Sequence, residues 1–346
     1  MTYKKFAFIF AFALLILVSC NVNGPAESSK TYEPRTRTYY IAAENVEWDY
    51  APDAKNFSEE ELEEKSWLEQ TKYNKTRFIE YTDENFNTKK QQPKWLGILG
   101  PTIRGVEGDT IKVVFLNKAD KQYSMHPHGL LYDKDNEGAA HEGTGSSMSM
   151  SEGKGAKINP GQKFTYSWKV TKESAPSGNE GSRIWMYHSH VAPVDDVYAG
   201  LIGPIIITSA GHANEDATPT DVDKEFVNLF MVFDESTDEM EEEEIEGHLK
   251  HSINGYIFNN LKVLEMEKGD KVRWHLIGLG TEVDLHTAHW HGEILKTSEK
   301  YTDVIELLPA SMVSADMIAD NIGEWMYHCH VTDHITAGMT TTYKIT

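Results

Sequence analysis

The sequence predicts an all-β protein made of two tandem copies of one β-sandwich, and two observations predict it. Short alternating or apolar runs rich in Val, Ile, Thr and aromatic residues, bounded by Gly, Pro, Asn and Asp, dominate the chain. Four landmarks also recur in the same order. GVEGDTIKVVFLN (105–117) returns as MEKGDKVRWHLIG (266–278), and HPHG (126–129) as HWHG (289–292). PGQKFTYSW (160–168) has a weaker counterpart in LLPASMVSADM (307–317), and WMYHSHV (185–191) returns as WMYHCHV (325–331). A chain of 346 residues is also long enough for two domains that each bury a core.

Taken in order, residues 1–19 pair Lys4 and Lys5 with an apolar run that ends in small residues, the pattern of a secretory leader. The following Leu17-Val18-Ser19-Cys20 resembles the lipobox of bacterial lipoproteins. That resemblance implies a lipid on Cys20 and a chain anchored at the cell envelope, outside the cytoplasm. Residues 20–36 are polar and carry Gly, Pro and Ser, so they read as a flexible tether.

Strands are expected at TRTYYIAAENVEW, GDTIKVVFLN, KFTYSWKV and LIGPIIITS in a first domain, 37–210. After a join at 211–221 come EFVNLFMVF, DKVRWHLIG and TTTYKI in a second domain, 222–346. One helical insertion is expected at 58–78. His128 and His188 are 60 residues apart but His291 and His328 only 37, so the first copy carries 60 − 37 = 23 extra residues. Much of the excess is a Gly/Ser/Met-rich loop around His141, Met148 and Met150, read as a surface insertion rather than a soft-ligand copper site.

Charge excludes some partners. With 33 basic and 54 acidic residues the net charge is −21, and without the leader's two lysines it is 31 − 54 = −23. Nucleic acid and anionic lipid headgroups would be repelled. The acidic run at 238–248 reads as a solvated charged face, with cation collection as the alternative. Cysteine usage is as informative: Cys20 and Cys329 are the only two, and lipidation of the first leaves the second without a partner. Metal ligation is one reason for an exported protein to keep a lone thiol.

Ten of the 15 histidines fall in four clusters: His126 and His128; His188 and His190; His286, His289 and His291; His328, His330 and His334. On a strand, residues i and i+2 share a face, so each H-x-H pair aims two imidazoles at one place. The same parity turns Cys329 away from its flanking histidines and His286 away from His289 and His291. Cys329 and His286 can therefore share a second site with His334 and Met339. Two imidazoles, a thiolate and a thioether are the ligand set of blue copper, and the thioether argues against zinc. His212, His248, His251 and His275 lie outside the clusters and read as ordinary.

The motifs HPHG, HSH, HTAHWHG and HCHVTDHITAGM resemble the four copper signatures of the multicopper oxidases, and the likeness spans essentially the whole chain after the leader. YYIAAENVEWDYAP, LGILGPTIRG and HCHVTDHITAGM look most like ceruloplasmin-type domains, while the layout is similar to two-domain laccases with blue copper only in the second domain. The resemblance implies two cupredoxin-like Greek-key sandwiches and four copper ions per chain. His286, Cys329, His334 and Met339 would hold type 1 copper, and His126 and His289 type 2. His128, His188, His190, His291, His328 and His330 would hold the type 3 pair. In the family, single electrons enter at type 1 and dioxygen is reduced to water at the trinuclear cluster.

The first copy departs from the pattern. Ser189 replaces the thiol, Val194 stands four residues after His190, and Leu201 replaces the thioether in a segment two residues longer. Each domain thus offers two H-x-H pairs, and the cluster is expected at an interface between unlike domains, which closes only as a ring. The resemblance to two-domain members of the family implies that this ring is a homotrimer of neighbouring chains. Tyr132 and Glu137, after HPHG, and Asp333, beside His334, are candidate catalytic residues for proton supply or substrate approach. The reductant is expected to be a phenol, Fe(II) or Cu(I). A copper nitrite reductase-like enzyme and a non-catalytic copper-binding envelope protein are the alternatives; both fit the complete set of eight paired histidines less well.

Overall fold

The computed structural model describes residues 32–54, 66–140, 152–178, 180–237, 239–262, 264–281, 284–298 and 300–346. The leader, Cys20, the start of the expected helical insertion and the loop with His141, Met148 and Met150 lie outside the described residues. Residues 32–346 form one compact unit.

Nineteen strands are named among the described residues, and they segregate along the chain. The first eight are β1 (Thr36–Asp49), β2 (Lys72–Tyr81), β3 (Ile103–Val106), β4 (Thr110–Asn117), β5 (His126–Pro127), β6 (Lys163–Lys169), β7 (Ser182–His188) and β8 (Ile202–Thr208). They form two sheets, ordered β2-β1-β4-β6 and β3-β8-β7-β5. Next come β9 (Lys224–Asp234), β10 (Leu249–Ile253), β11 (Glu265–Met266), β12 (Lys271–Gly278) and β13 (His286–Trp290). The last six are β14 (Leu295–Lys296), β15 (Tyr301–Thr302), β16 (Val304–Leu307), β17 (Ser311–Ile318), β18 (Gly323–Cys329) and β19 (Thr340–Ile345). They form the sheets β10-β9-β12-β17-β14-β15 and β11-β19-β18-β13-β16.

The second pair of sheets repeats the first with three strands added. β1 runs parallel to β4 as β9 does to β12, and β3 runs parallel to β8 as β11 does to β19. The weak sequence match at 160–168 and 307–317 therefore marks equivalent strands, β6 and β17. In each pair the alternating apolar residues of both sheets face one another. Ile41, Val113 and Tyr166 meet Ile103, Tyr187 and Ile205 in one core. Trp274, Leu276 and Met317 meet Trp290, Tyr327 and Tyr343 in the other.

A third apolar cluster, with Trp48, Leu96, Ile98, Met186, Leu229, Phe233 and Ile277, joins the two halves. Beside it lies a buried ionic network. Glu225 pairs with Arg104 at 2.8 Å and His275 Nε2 at 2.9 Å, while buried Arg273 spans Asp221 at 2.8 Å and Asp316 at 2.7 Å. His275 is thus a buried network member rather than an ordinary histidine.

The expected helix at 58–78 is not what forms over its described part. Ser66–Leu68 is a single 3-10 turn and Lys72–Tyr81 is β2, paired antiparallel with β1 from Asp49↔Lys72 to Tyr40↔Tyr81. Lys75, Thr76, Phe78 and Tyr81 are buried against the sheet, and this packing favours the strand. Among the described residues, α-helix is confined to short segments: Pro193–Tyr198, Glu242–His248 within the acidic run, and Thr332–Thr336. No helix among the described residues is long and apolar enough to cross a membrane.

Candidate metal centres

β13 and β18 pair antiparallel with Ala288 opposite Cys329 and His289 opposite His328. This register puts alternate residues of both strands to one side and their neighbours to the other. On the inner side, His286, Cys329 and His334 converge and all three are buried. Nδ1 of His286 lies 3.1 Å from Nδ1 of His334, and Cys329 Sγ lies 4.0 and 3.6 Å from these nitrogens. The helix Thr332–Thr336 delivers His334. It is capped by Ala337 and followed by Gly338, where a φ of 107° and the close Phe258 ring exclude a side chain. The chain then returns with Met339, fully buried, its carbonyl accepting the Cys329 N–H at 3.0 Å.

The electrostatics favour a thiolate. Burial alone would push the Cys329 thiol up, but hydrogen bonds with His286 and His334 and from the backbone N–H groups of Thr287 and Val331 hold it at about 6. Burial lowers His286, but Asp284 and Cys329 together raise it. Asp284, 3.3 Å from His286 Nε2, is itself fixed by the N–H groups of Val232 and Thr281.

The outer side of the same strands carries His289, His291 and His328. Nε2 of His328 lies 3.2 Å from His289 Nδ1 and 3.0 Å from His291 Nε2. His330 joins them with its ring 5.1 Å from His289. In the first half, β5 pairs with β7 so that His126 faces His188, and His126, His128 and His188 converge. His128 Nε2 and His188 Nε2 are 3.2 Å apart, and the His190 ring lies 5.2 Å from His126.

In each half a carbonyl anchors imidazole nitrogens from behind: His126 Nδ1 bonds the Glu137 carbonyl, His188 Nδ1 that of Ser189, and His328 Nδ1 that of Cys329. Burial lowers His128 to about 4 and His188 to about 3, so both imidazoles are neutral at neutral pH and able to ligate a metal. The glycines that follow His128 and His291 are required: Gly129 and Gly292 have φ of 72° and 80°, and a Cβ would strike the rings of Trp185 and Trp325.

These donor sets fit copper. The buried group is two imidazoles and a low-pKa thiol, Met339 is buried in the same core cluster as Cys329, and buried Nδ1 of His190 has no hydrogen-bond partner. The two outer groups stay apart. Among the described residues no ring contact or ligand grouping joins His126, His128, His188 or His190 to His289, His291, His328 or His330.

The vacated centre in the first half corrects the sequence alignment. Leu201 N bonds Asp196 O at 3.0 Å as Met339 N bonds His334 O at 2.9 Å, and Ser189 N bonds Leu201 O as Cys329 N bonds Met339 O, both at 3.0 Å. Ser124 N donates to Ser189 Oγ at 3.1 Å as Thr287 N donates to Cys329 Sγ at 3.4 Å. Buried Tyr123, Ser189, Asp196 and Leu201 therefore occupy the places of His286, Cys329, His334 and Met339. Val194, expected in the place of His334, is 60% exposed, because the two additional residues lie between His190 and Asp196 rather than after Asp196.

Tyr132 stacks edge-on to His126 at 5.8 Å, and Glu137 holds His126 by its carbonyl while its carboxylate pairs with Lys134. Asp333 is exposed on the helix that carries His334. Sequence reasoning missed His251. Buried on β10, its ring lies tilted against that of His334 at 5.1 Å, and no short motif links the two.

Fold and site together define a cupredoxin-fold, copper-dependent protein. Two models of the family described as Multicopper oxidase match residues 79–212 and 229–346, and the chain belongs to the multicopper oxidase family. Among relatives, hephaestin of Mus musculus is 34% identical over 92% of this chain and Ferroxidase HEPHL1 of Homo sapiens 35% over 90%. Ceruloplasmin of Homo sapiens is 34% identical over 89%. The chain spans only 29%, 29% and 30% of these relatives' own lengths. The fold is also that of a solved multicopper oxidase (TM-score 0.63, 20% identity, 90% of this chain and 89% of the other). The Blue Copper Oxidase from Nitrosomonas europaea is similar as well (TM-score 0.59, 21% identity, 90% and 86%).

Proposed function

We propose that the chain is an oxidase that takes single electrons from a small reductant at the His286–Cys329–His334–Met339 centre and uses four of them to reduce dioxygen to water. Copper, four ions per chain, supplies the one-electron and dioxygen chemistry when bound. The observation that carries the reading is the position of Cys329: its thiol lies among buried imidazoles, and the residues on either side of it, His328 and His330, belong to the outer histidine group. The chain itself therefore wires the inner site to the outer one.

His334, on a short surface helix with exposed Asp333, marks the side from which a reductant approaches. Tyr132 and Glu137 lie against His126, where proton supply for dioxygen reduction is needed. The separation of the two histidine groups within one chain supports a homotrimer, in which His126, His128, His188 and His190 of one copy meet the other four of its neighbour. Relatives named ferroxidase, and the chain's acidity, favour Fe(II) over phenols as reductant, with Cu(I) next. Lipidation at Cys20 would hold the assembly on the outer side of a membrane.

The test is a copper count per chain with an optical spectrum and sedimentation. Oxygen uptake is then followed with Fe(II), Cu(I) and a substituted phenol, with nitrite as control. Four coppers, a blue band and a trimer are expected; one copper or none sinks the reading.

A further inference from the structure

The vacated centre of the first half is filled by a closed hydrogen-bond network. Asp196 Oδ2 accepts from Ser189 Oγ at 2.6 Å and from the N–H groups of Val191 and Ala192, both at 3.1 Å. Ser189 Oγ in turn accepts the Ser124 N–H at 3.1 Å. Ser124 Oγ accepts the His190 N–H at 3.0 Å and donates to the Gly138 carbonyl at 2.6 Å. Asp196, Ser189, Ser124 and Gly138 are all buried. The network thus ties together the chain at His188–His190, the approach to β5 and His126, and the 137–138 turn whose carbonyl orients His126.

We propose, resting on the oxidase reading, that Asp196 is a positioning residue for the outer histidines of the first half. It does there, without metal, what an ion held by His286, Cys329 and His334 would do in the second half, joining the segment after β7 to the approach to β5. A buried network with every member satisfied rigidifies its surroundings more than its separate bonds suggest. One carboxylate oxygen accepting three hydrogen bonds makes Asp196 its hub. The alternative is a purely local role, capping the turn that starts at Pro193 through the Val191 and Ala192 bonds.

The test compares full-length wild type, Asp196→Ala and Ser189→Ala after copper loading, by copper count, copper titration and optical spectrum. Asp196→Ala should keep the blue band, which belongs to the other half, and lose affinity for the histidine-bound coppers by roughly 10–100-fold. Ser189→Ala leaves the Val191 and Ala192 bonds in place and cuts only the route to Ser124. It should weaken the same coppers to a lesser degree, and it decides the matter should Asp196→Ala fail to fold. Wild-type titrations of the histidine-bound coppers in Ser189→Ala overturn the positioning role. A wild-type chain that takes up no copper overturns the oxidase reading itself, and the two failures are thereby distinct.

Discussion

The carbonyl of Cys329 accepts a hydrogen bond from Nδ1 of His328 at 2.7 Å, so two residues already adjacent in the chain are joined a second time through space. His328 Nε2 then faces His289 and His291. Under the proposed function, an electron arriving at the thiol would have a covalent route and a shorter hydrogen-bonded one to the same imidazole. The first half keeps the equivalent bond, His188 Nδ1 to the Ser189 carbonyl at 2.8 Å, on a residue with no thiol to feed it.

Replacing Cys329 by serine should abolish the blue band and oxidase turnover while leaving the copper at the outer histidines and the trimer intact. Visible absorption, copper count and sedimentation of the variant check this. Turnover that survives would falsify the electron-entry assignment.

The vacated centre gives a constructive test. Tyr123→His, Ser189→Cys, Asp196→His and Leu201→Met together should add one copper per chain and a second blue centre. Ser189→Cys alone should not, and a set with Val194→His in place of Asp196→His should fail, because Val194 points to solvent. Copper content and the intensity of the blue band per chain read the result.

Metal-free protein should gain stability as pH rises between about 6 and 9. The Cys329 thiol is held at about 6 in the folded chain against an ordinary 9.0. A group with a depressed folded pKa stabilises fully above the unfolded value and ceases to do so as pH falls through the folded one. Urea unfolding across that range, with Cys329→Ser as the flat control, measures a slope worth on the order of a few kcal/mol in total.

Acid should loosen the junction between the halves. Burial pushes Glu225 up, but its hydrogen bond with His275 and the Arg104 guanidinium hold it at about 2, against an ordinary 4.5. Its stabilising contribution is complete above about 4.5 and disappears as pH falls toward 2. Glu225→Gln should be less stable at neutral pH and should show a smaller loss over that window in thermal melts.

Ile294, 64% exposed three residues after His291, and Leu131, 56% exposed three residues after His128, are apolar side chains beside the two outer groups. Ile294→Asp should weaken assembly at least about 10-fold and strip the histidine-bound copper with the blue band retained. Sedimentation read together with copper count separates this from loss of fold; a variant that stays trimeric with four coppers counts against the interface.

Much of this was legible in the chain because the relevant rules are local. Alternation along β13 and β18 alone places His286 and Cys329 on one face and His289, His291 and His328 on the other, and the geometry has that parity. The helix expected at 58–78 illustrates the opposite case: Lys72–Tyr81 has no strong local preference, and pairing with β1 made it a strand. The Val194 assignment failed for a similar reason. Counting residues from His190 cannot locate an insertion, whereas the backbone bond from Leu201 to Asp196 does.

The sequence by itself determined the two-fold repeat, the paired histidines and the presence of Ser189 where the second copy has Cys329, all of which follow from residue identity and a period of two. Tertiary structure alone decided that Asp196 and Tyr123 fill the empty centre, that His251 lies on His334, and that the two histidine groups remain apart within one chain. Those relations join residues far apart in sequence. They depend on how sheets stack and loops close, and no short-range pattern carries that information.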